Sequence, residues 1–183
     1  MFVSYIKQDF LMKKIMFNDR YQLTELVMIG KKTMTRRTIS KKTPTDSIEN
    51  ALPFSLYNVG DIVAIAQSYE KAPPQFQMLK EHLKKSPGWK NKMFVSPKLM
   101  PHHIKITSIK LERLNDINEE DCISEGITLT SSGKYGYYDE KKEIFVEFDG
   151  PREAFVSLID NVSGKGTWDS NPYVFCYTFN LID

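Results

Sequence analysis

The sequence predicts an α+β chain, a small mixed β-barrel of about six strands with short helices at its periphery. Three observations carry this. Strand-length apolar segments are interrupted by three or four short helical patterns, without the regular strand–helix alternation that a doubly wound sheet needs. Residues 104–111 alternate apolar and polar, but the phase resets across Thr107 and Ser108, as a β-bulge in a bent, half-buried strand would make it do. Residues 173–179, Tyr-Val-Phe-Cys-Tyr-Thr-Phe, are β-formers suited to the inside of a sheet. With 183 residues, 41% of them hydrophobic and 12% aromatic, the chain can build one core, whereas two separate domains would each be marginal. The expectation is a lead-in over residues 1–11 and one domain over 12–183, with insertions near 40–58, 70–101 and 130–148.

In chain order, residues 14–17 read as a short strand ending at Asn18, a helix N-cap. Residues 19–29 place Leu23, Leu26 and Val27 at helical spacing, and Gly30 supplies a left-handed stop. A strand follows over 33–38. Residues 40–58 are polar and carry Pro44 and Pro53, so a long surface loop is expected, followed by a buried strand over 62–66. Pro73 and Pro74 open a short helix to about Lys85, stopped by Ser86-Pro87-Gly88, and residues 93–101 read as extended. Asn118 caps a helix with Asp121 at its third position and Ile117 set against Cys122 as a hydrophobic staple; Gly126 ends it. Residues 135–148 read as a hairpin turning at 139–142. Pro151 begins an amphipathic helix with Ala154, Phe155, Leu158, Ile159 and Val162 on one face, and the final strand closes the chain.

A formal charge of +2 argues neither for a basic nucleic-acid coat nor for acidic repulsion, so an anion site must be local. Cys122 and Cys176 show no CxxC spacing and no disulfide framework, which fits a reducing compartment. His82, His102 and His103 add little to a metal inventory: the adjacent pair diverges at a strand entrance, with no third ligand spaced nearby. No metal or other cofactor is expected. The first residues lack a signal-peptide pattern, and no 18 apolar residues run together, so the expected location is cytoplasmic, away from membrane.

The segment Gly30-Lys31-Lys32-Thr33-Met34-Thr35-Arg36-Arg37 packs four cations and two hydroxyls into eight residues. One reading is structural: Lys31 and Lys32 cap a helix dipole, and the threonines are strand residues. The other is an anion or nucleobase pocket, with Arg forks for phosphate and hydroxyls for polar groups. Strand alternation puts Arg37 on the face of Thr35 and Arg36 on the opposite one. Glu125, in the last turn of a short helix, faces the negative dipole end, where proton affinity rises if the site is also desolvated; the bland reading is a solvated surface Glu. Trp89, Lys98, Trp168 and Tyr173 are candidates for base stacking or backbone contact, although aromatics more often serve the core. Neither cysteine has a recognisable histidine partner for thiol catalysis.

This segment, followed by Asn-Asp-Ile-Asn-Glu-Glu-Asp-Cys-Ile-Ser-Glu-Gly-Ile at 115–127, resembles the ASCH-domain proteins of phage and prophage type. Residues 96–101 and 166–173 extend the resemblance, which runs from about Ile15 to the end. It implies a PUA-like barrel that binds RNA or a nucleotide in its cleft, with Lys31, Arg36, Arg37, Trp89, Lys98 and Trp168 as the candidate contacts here. For a smaller bacterial branch it implies an amidohydrolase removing the acetyl group of N4-acetylcytidine. Matched on Gly-x-Lys-Thr-x-Thr-x-Arg and on the short helix, that branch's catalytic residues fall on Lys32, Thr35 and Glu125. The scheme would use Thr35 as nucleophile, neutral Lys32 as its base and Glu125 as the acid for the leaving amine. It needs Lys32 on the turn after Gly30, or a bulged strand, because residues three apart on a regular strand face opposite ways. The longer loops separate this chain from that branch. A third reading is a phage-related interaction module without a small ligand.

Overall fold

The computed structural model describes residues 12–71 and 81–183. The chain falls into two compact units, one formed by residues through Phe17, Asp61–Lys105 and Leu181–Asp183, the other by Asn18–Gly60 and Ile106–Asn180.

In the first unit, β1 (Lys13–Ile15) runs parallel to β3 (Ile62–Ile65), with Ile15 opposite Ile65. The apolar run Val63-Ala64-Ile65 is fully buried, as a strand covered on both faces should be. β3 pairs antiparallel with the start of β4 (His103–Arg113), Val63 opposite Ile104. Ala64, Ala66, Tyr69, Val95 and Met100 form the local core. Residues 93–101 depart from the extended expectation and make two 3-10 turns, Lys92–Phe94 and Pro97–Leu99. Asn91 caps the first, accepting from the Met93 N–H at 2.9 Å, and Pro97, with its fixed φ, starts the second. The expected helix over residues 73–85 and the lead-in over 1–11 lie largely outside the described residues.

In the second unit the strand order is β4-β8-β2, with β2 (Met34–Thr38) antiparallel to β8 (Tyr173–Leu181). A separate antiparallel sheet holds β5 (Thr128–Leu129), β6 (Tyr135–Asp139) and β7 (Ile144–Phe148). Gly136 is required where β6 crosses β7, because a Cβ there would lie 1.9 Å from the Val146 carbonyl oxygen. Helix Pro151–Ser163 buries Ala154, Phe155 and Leu158; Val162, expected on that face, is 36% exposed. The 40–58 segment is more ordered than a surface loop. Ser47 caps helix Ile48–Ala51, a 3-10 turn Leu52–Phe54 follows, and Thr43, Ala51 and Tyr57 are buried.

The class is α+β with mixed strand directions, as expected. Among the described residues β1 and β2 each have one strand neighbour, so backbone hydrogen bonds leave the sheet open where a closed barrel was expected. The stretch joining β2 to β3 is helical turn and loop, which supplies no strand to close it. Among the described residues no helix is long and apolar enough to cross a membrane.

Candidate functional site

The site is built inside the second unit from three pieces of chain. The first is the segment entering β2. Gly30, at φ 71°, ends the helical stretch, and the Lys31 and Lys32 N–H groups both donate to the Leu26 carbonyl at 2.9 Å. Lys32 therefore sits on the turn, before the first strand residue Met34. The Thr33 N–H then donates to the Ser124 carbonyl at 2.9 Å, laying the entry to β2 along the end of helix Glu119–Ser124.

That helix is the second piece. Asn118 accepts from the Asp121 N–H at 2.7 Å, and buried Ile117 and Cys122 supply the staple. It closes in a Schellman arrangement: Ile127 N–H to Cys122 carbonyl at 3.2 Å and Gly126 N–H to Ile123 carbonyl at 2.9 Å. Gly126 takes φ 110°, and a Cβ there would approach Leu23 and Leu26 at 3.2 Å and the Lys32 stem at 3.6 Å. Glu125, the C-cap residue just before it, is thereby turned inward and is only 5% exposed.

Lys32 and Glu125, 93 residues apart in sequence, meet there. Lys32 Nζ lies 2.6 Å from Glu125 Oε2 and 2.6 Å from the Glu125 carbonyl oxygen, and the Lys32 side chain is 2% exposed. Burial pushes the Lys32 ammonium below its ordinary value; attraction by Glu125 opposes this, while Arg37 and Arg36 add to it.

The third piece is the β2–β8–β4 surface around Arg36. Its Nε donates to Glu112 Oε1 at 2.8 Å, its Nη2 to Asp121 Oδ2 at 2.5 Å, and its Nη1 to Glu125 Oε1 at 3.2 Å. Burial alone works against its charge, yet Glu125, Cys176 and Glu112, with the Asp121 hydrogen bond, raise its pKa. Glu112, Asp121 and Cys176 bring potential ligand atoms within 4.8 Å of one another, a spacing a metal would use. Here the guanidinium is the cation that takes both carboxylates. Burial pushes the Cys176 thiol up to about 12.

Thr35 lies opposite Tyr177, Arg36 opposite Cys176 and Arg37 opposite Phe175. Cross-strand partners share a face, so Thr35 and Arg37 stand together, as expected, and Arg36 faces away from them. On the Thr35 side the Tyr177 hydroxyl is 2.9 Å from Ser55 Oγ, and Tyr57 packs edge-on against the Tyr177 ring at 5.2 Å. Burial raises both phenols, Tyr57 to about 12.

The other candidates are placed as follows. Lys31 is exposed and lines a cavity of about 280 Å³ with Ile123, Gly126, Ile127, Thr128 and Leu129. Trp168 packs edge-on against Phe155 at 6.4 Å, with Arg152 over its ring at 5.1 Å, and so serves the helix packing. Tyr173 carries the Arg113 guanidinium 3.9 Å above its ring. Trp89 and Lys98 belong to the first unit, where Trp89 is half-buried against the local core and Lys98 is exposed. His103 Nδ1 lies 2.6 Å from Asp183 Oδ2. Sequence reasoning did not find Glu112, Asp121, Ser55, Tyr57 or Tyr177. Asp121 alone carried a local signal, as an acidic residue in a helix first turn.

No protein-family model and no curated protein matches the chain. A crystal structure of a protein from Enterococcus faecalis V583, described with the family model DUF984, aligns with 96% of this chain and 83% of its own. The identity is 15% and the TM-score 0.47. A crystal structure of an ASCH domain from Lactobacillus crispatus JV V101 aligns with 90% of this chain and 75% of its own, at 12% identity and a TM-score of 0.40.

Proposed function

We propose that the protein binds an N-acylated nucleobase, in RNA or as a free nucleoside, and cleaves its exocyclic amide with Lys32, Thr35 and Glu125. The observation that carries this reading is the 2.6 Å contact between Lys32 Nζ and Glu125 Oε2 at a place almost without solvent. The charged pair and the neutral pair hold the same number of protons, so one becomes the other by moving a proton along an existing hydrogen bond. Burial lowers the proton affinity of Lys32, and a proton passed to Glu125 would leave a free amine beside a carboxylic acid, the base and the acid that amide cleavage needs. Lys32 precedes the strand, so alternation does not fix its face. Arg36, however, which faces away from Thr35, binds the same Glu125 carboxylate, so the scheme requires Thr35 to meet the pair round the outer edge of β2.

In this scheme the Thr35 hydroxyl gives its proton to Lys32 as its oxygen bonds to the acyl carbon. Glu125 protonates the amine nitrogen as the C–N bond breaks, and the nucleobase departs. Water then gives a proton to the Glu125 carboxylate and attacks the threonine ester. The carboxylic acid leaves, and the Lys32 proton returns to the Thr35 oxygen, restoring the starting state. Arg37, on the face of Thr35, holds the acyl oxygen or a phosphate. The sequence resemblance supports the same three catalytic residues. A substrate of this kind fits a cytoplasmic protein, and the two buried, unbridged cysteines fit a reducing compartment.

The test is chromatographic detection of cytidine and acetate after incubation with N4-acetylcytidine. Lys32→Ala, Thr35→Ala and Glu125→Ala are each expected to lower turnover by about 10²–10⁴-fold while remaining folded. A folded wild type that releases no acetate overturns hydrolysis of this substrate. RNA or nucleoside binding would then be the leading function, with exposed Lys31 and half-buried Arg37 as its cations; a fall in affinity with rising salt is its signature.

A further inference from the structure

The buried cluster holds two cations, Lys32 and Arg36, and three carboxylates, Glu112, Asp121 and Glu125. Its division of labour is unequal. Arg36 takes Glu112 from β4 and Asp121 from helix Glu119–Ser124, and reaches Glu125 Oε1 with its remaining edge. Lys32 takes the other oxygen of Glu125 and its carbonyl. A planar fork gripped from two elements has no rotational freedom left, so it presents a fixed donor to Glu125, whose carboxylate is then held at both oxygens. Loss of Arg36 would take from Glu112, Asp121 and Glu125 the guanidinium they share.

We propose that Arg36 is a positioning residue for the reaction, fixing the Glu125 carboxylate and occupying Glu112 and Asp121 so that they do not hold a proton on Lys32. The inference rests on the hydrolase reading for its catalytic consequence, but its electrostatic core can be measured without substrate. The charged groups that act on Lys32 are Glu125 from the helix cap and Arg36 and Arg37 from β2, while Glu112 from β4, Asp121 from the helix and Cys176 from β8 act on Arg36. Arg36 and Arg37 both oppose the Lys32 charge; Glu125 supports it. Removing Arg36 frees three carboxylates from the guanidinium they share. Removing one carboxylate that Arg36 now neutralises leaves its positive field stronger.

The two changes therefore move the Lys32 titration in opposite directions, which a merely structural role would not do. The measurement is a heteronuclear NMR titration of lysine-labelled protein, with the Lys32 signal assigned by its loss in Lys32→Met. Arg36→Gln is expected to raise the Lys32 proton affinity about tenfold or more, a midpoint one pH unit higher, and Asp121→Asn to lower it. Arg36→Lys keeps the charge but not the fork, and protects the test if Arg36→Gln fails to fold. It should leave the midpoint near wild type while lowering kcat on N4-acetylcytidine about 100-fold at unchanged KM, the cost of a misplaced catalytic group. An unmoved Lys32 midpoint in folded Asp121→Asn, or wild-type kcat in folded Arg36→Lys, overturns the proposal. If the wild type has no turnover the hydrolase reading falls, and the titration alone decides whether Arg36 shields Lys32.

Discussion

Lys32 is a lysine buried to 2% exposure whose ammonium faces a carboxylate buried nearly as deeply. Such a pair is costly to form and costlier to break from one side. Removing one partner of a buried pair typically costs about 3–5 kcal/mol, whereas replacing both with apolar groups is often neutral. Lys32→Met is therefore expected to lower the unfolding free energy by about 3 kcal/mol or more. Lys32→Met with Glu125→Leu should lower it by less than the sum of the two single changes; denaturant unfolding measures the difference. Strict additivity would mean that the two side chains do not interact. The helix that presents Glu125 was legible from Asn118, Ile117 and Gly126, because caps and stops act over four or five residues. The contact itself, across 93 residues, was reachable only through the motif resemblance. The Arg36 partners at 112 and 121 were not found at all, since nothing near Glu112 signals which cation its strand will meet.

The hairpin β6–β7 shows what one residue does for an element. Gly136 lies opposite Glu147, and an added Cβ would collide with backbone, not with a side chain that could move aside. Gly136→Ala is expected to destabilise by about 1–3 kcal/mol or more and to weaken amide protection across β7, read by hydrogen exchange. Normal protection in the variant would show that the strands can part by an ångström without loss. This hairpin was legible from its turn and its aromatic strands. Residues 40–58 and 93–101 were not, because proline marks loop or extension in one setting and a helix start in another. In Leu52–Phe54 and Pro97–Leu99 it instead sits in the first turn of a 3-10 helix, where a missing N–H costs nothing. Ser47 ahead of Ile48-Glu49-Asn50 was a readable cap signal, outweighed by the polar run around it.

For the whole chain, α+β class and mixed strand direction were legible from strand length and phase, while closure of the sheet was not, since edges are settled by pairing across distant segments. Alkaline pH tests the core as a unit. Burial holds the Cys122, Cys176 and Tyr57 protons on, each group being pushed up to about 12, whereas in the unfolded chain thiols ionise near about 8.5 and tyrosine near about 10. Their contribution is fully present below those unfolded values and is lost as pH rises toward about 12. Burial of Lys32 acts in the opposite sense, since its lowered affinity makes the unfolded chain the better proton binder up to about 10.4. Tyr21 and Tyr177 are raised by burial as well, and Lys14 is lowered as Lys32 is. The raised groups outnumber the lowered ones and predict a Tm that falls from about pH 9 upward, with a shallower fall in Cys122→Ala, whereas a Tm flat to pH 11 would contradict the burial of these groups. The order of the charges along the chain sets a condition on synthesis. Both cations come first, at 32 and 36, and the nearest of their carboxylates lies 76 residues after Arg36. A nascent chain paused before residue 112 has made the segment that must be buried but none of the groups that let it be buried. β2 is thus barred from settling early: its docking waits for the helix capped by Glu125 and then for β8, its strand neighbour, which is made later still.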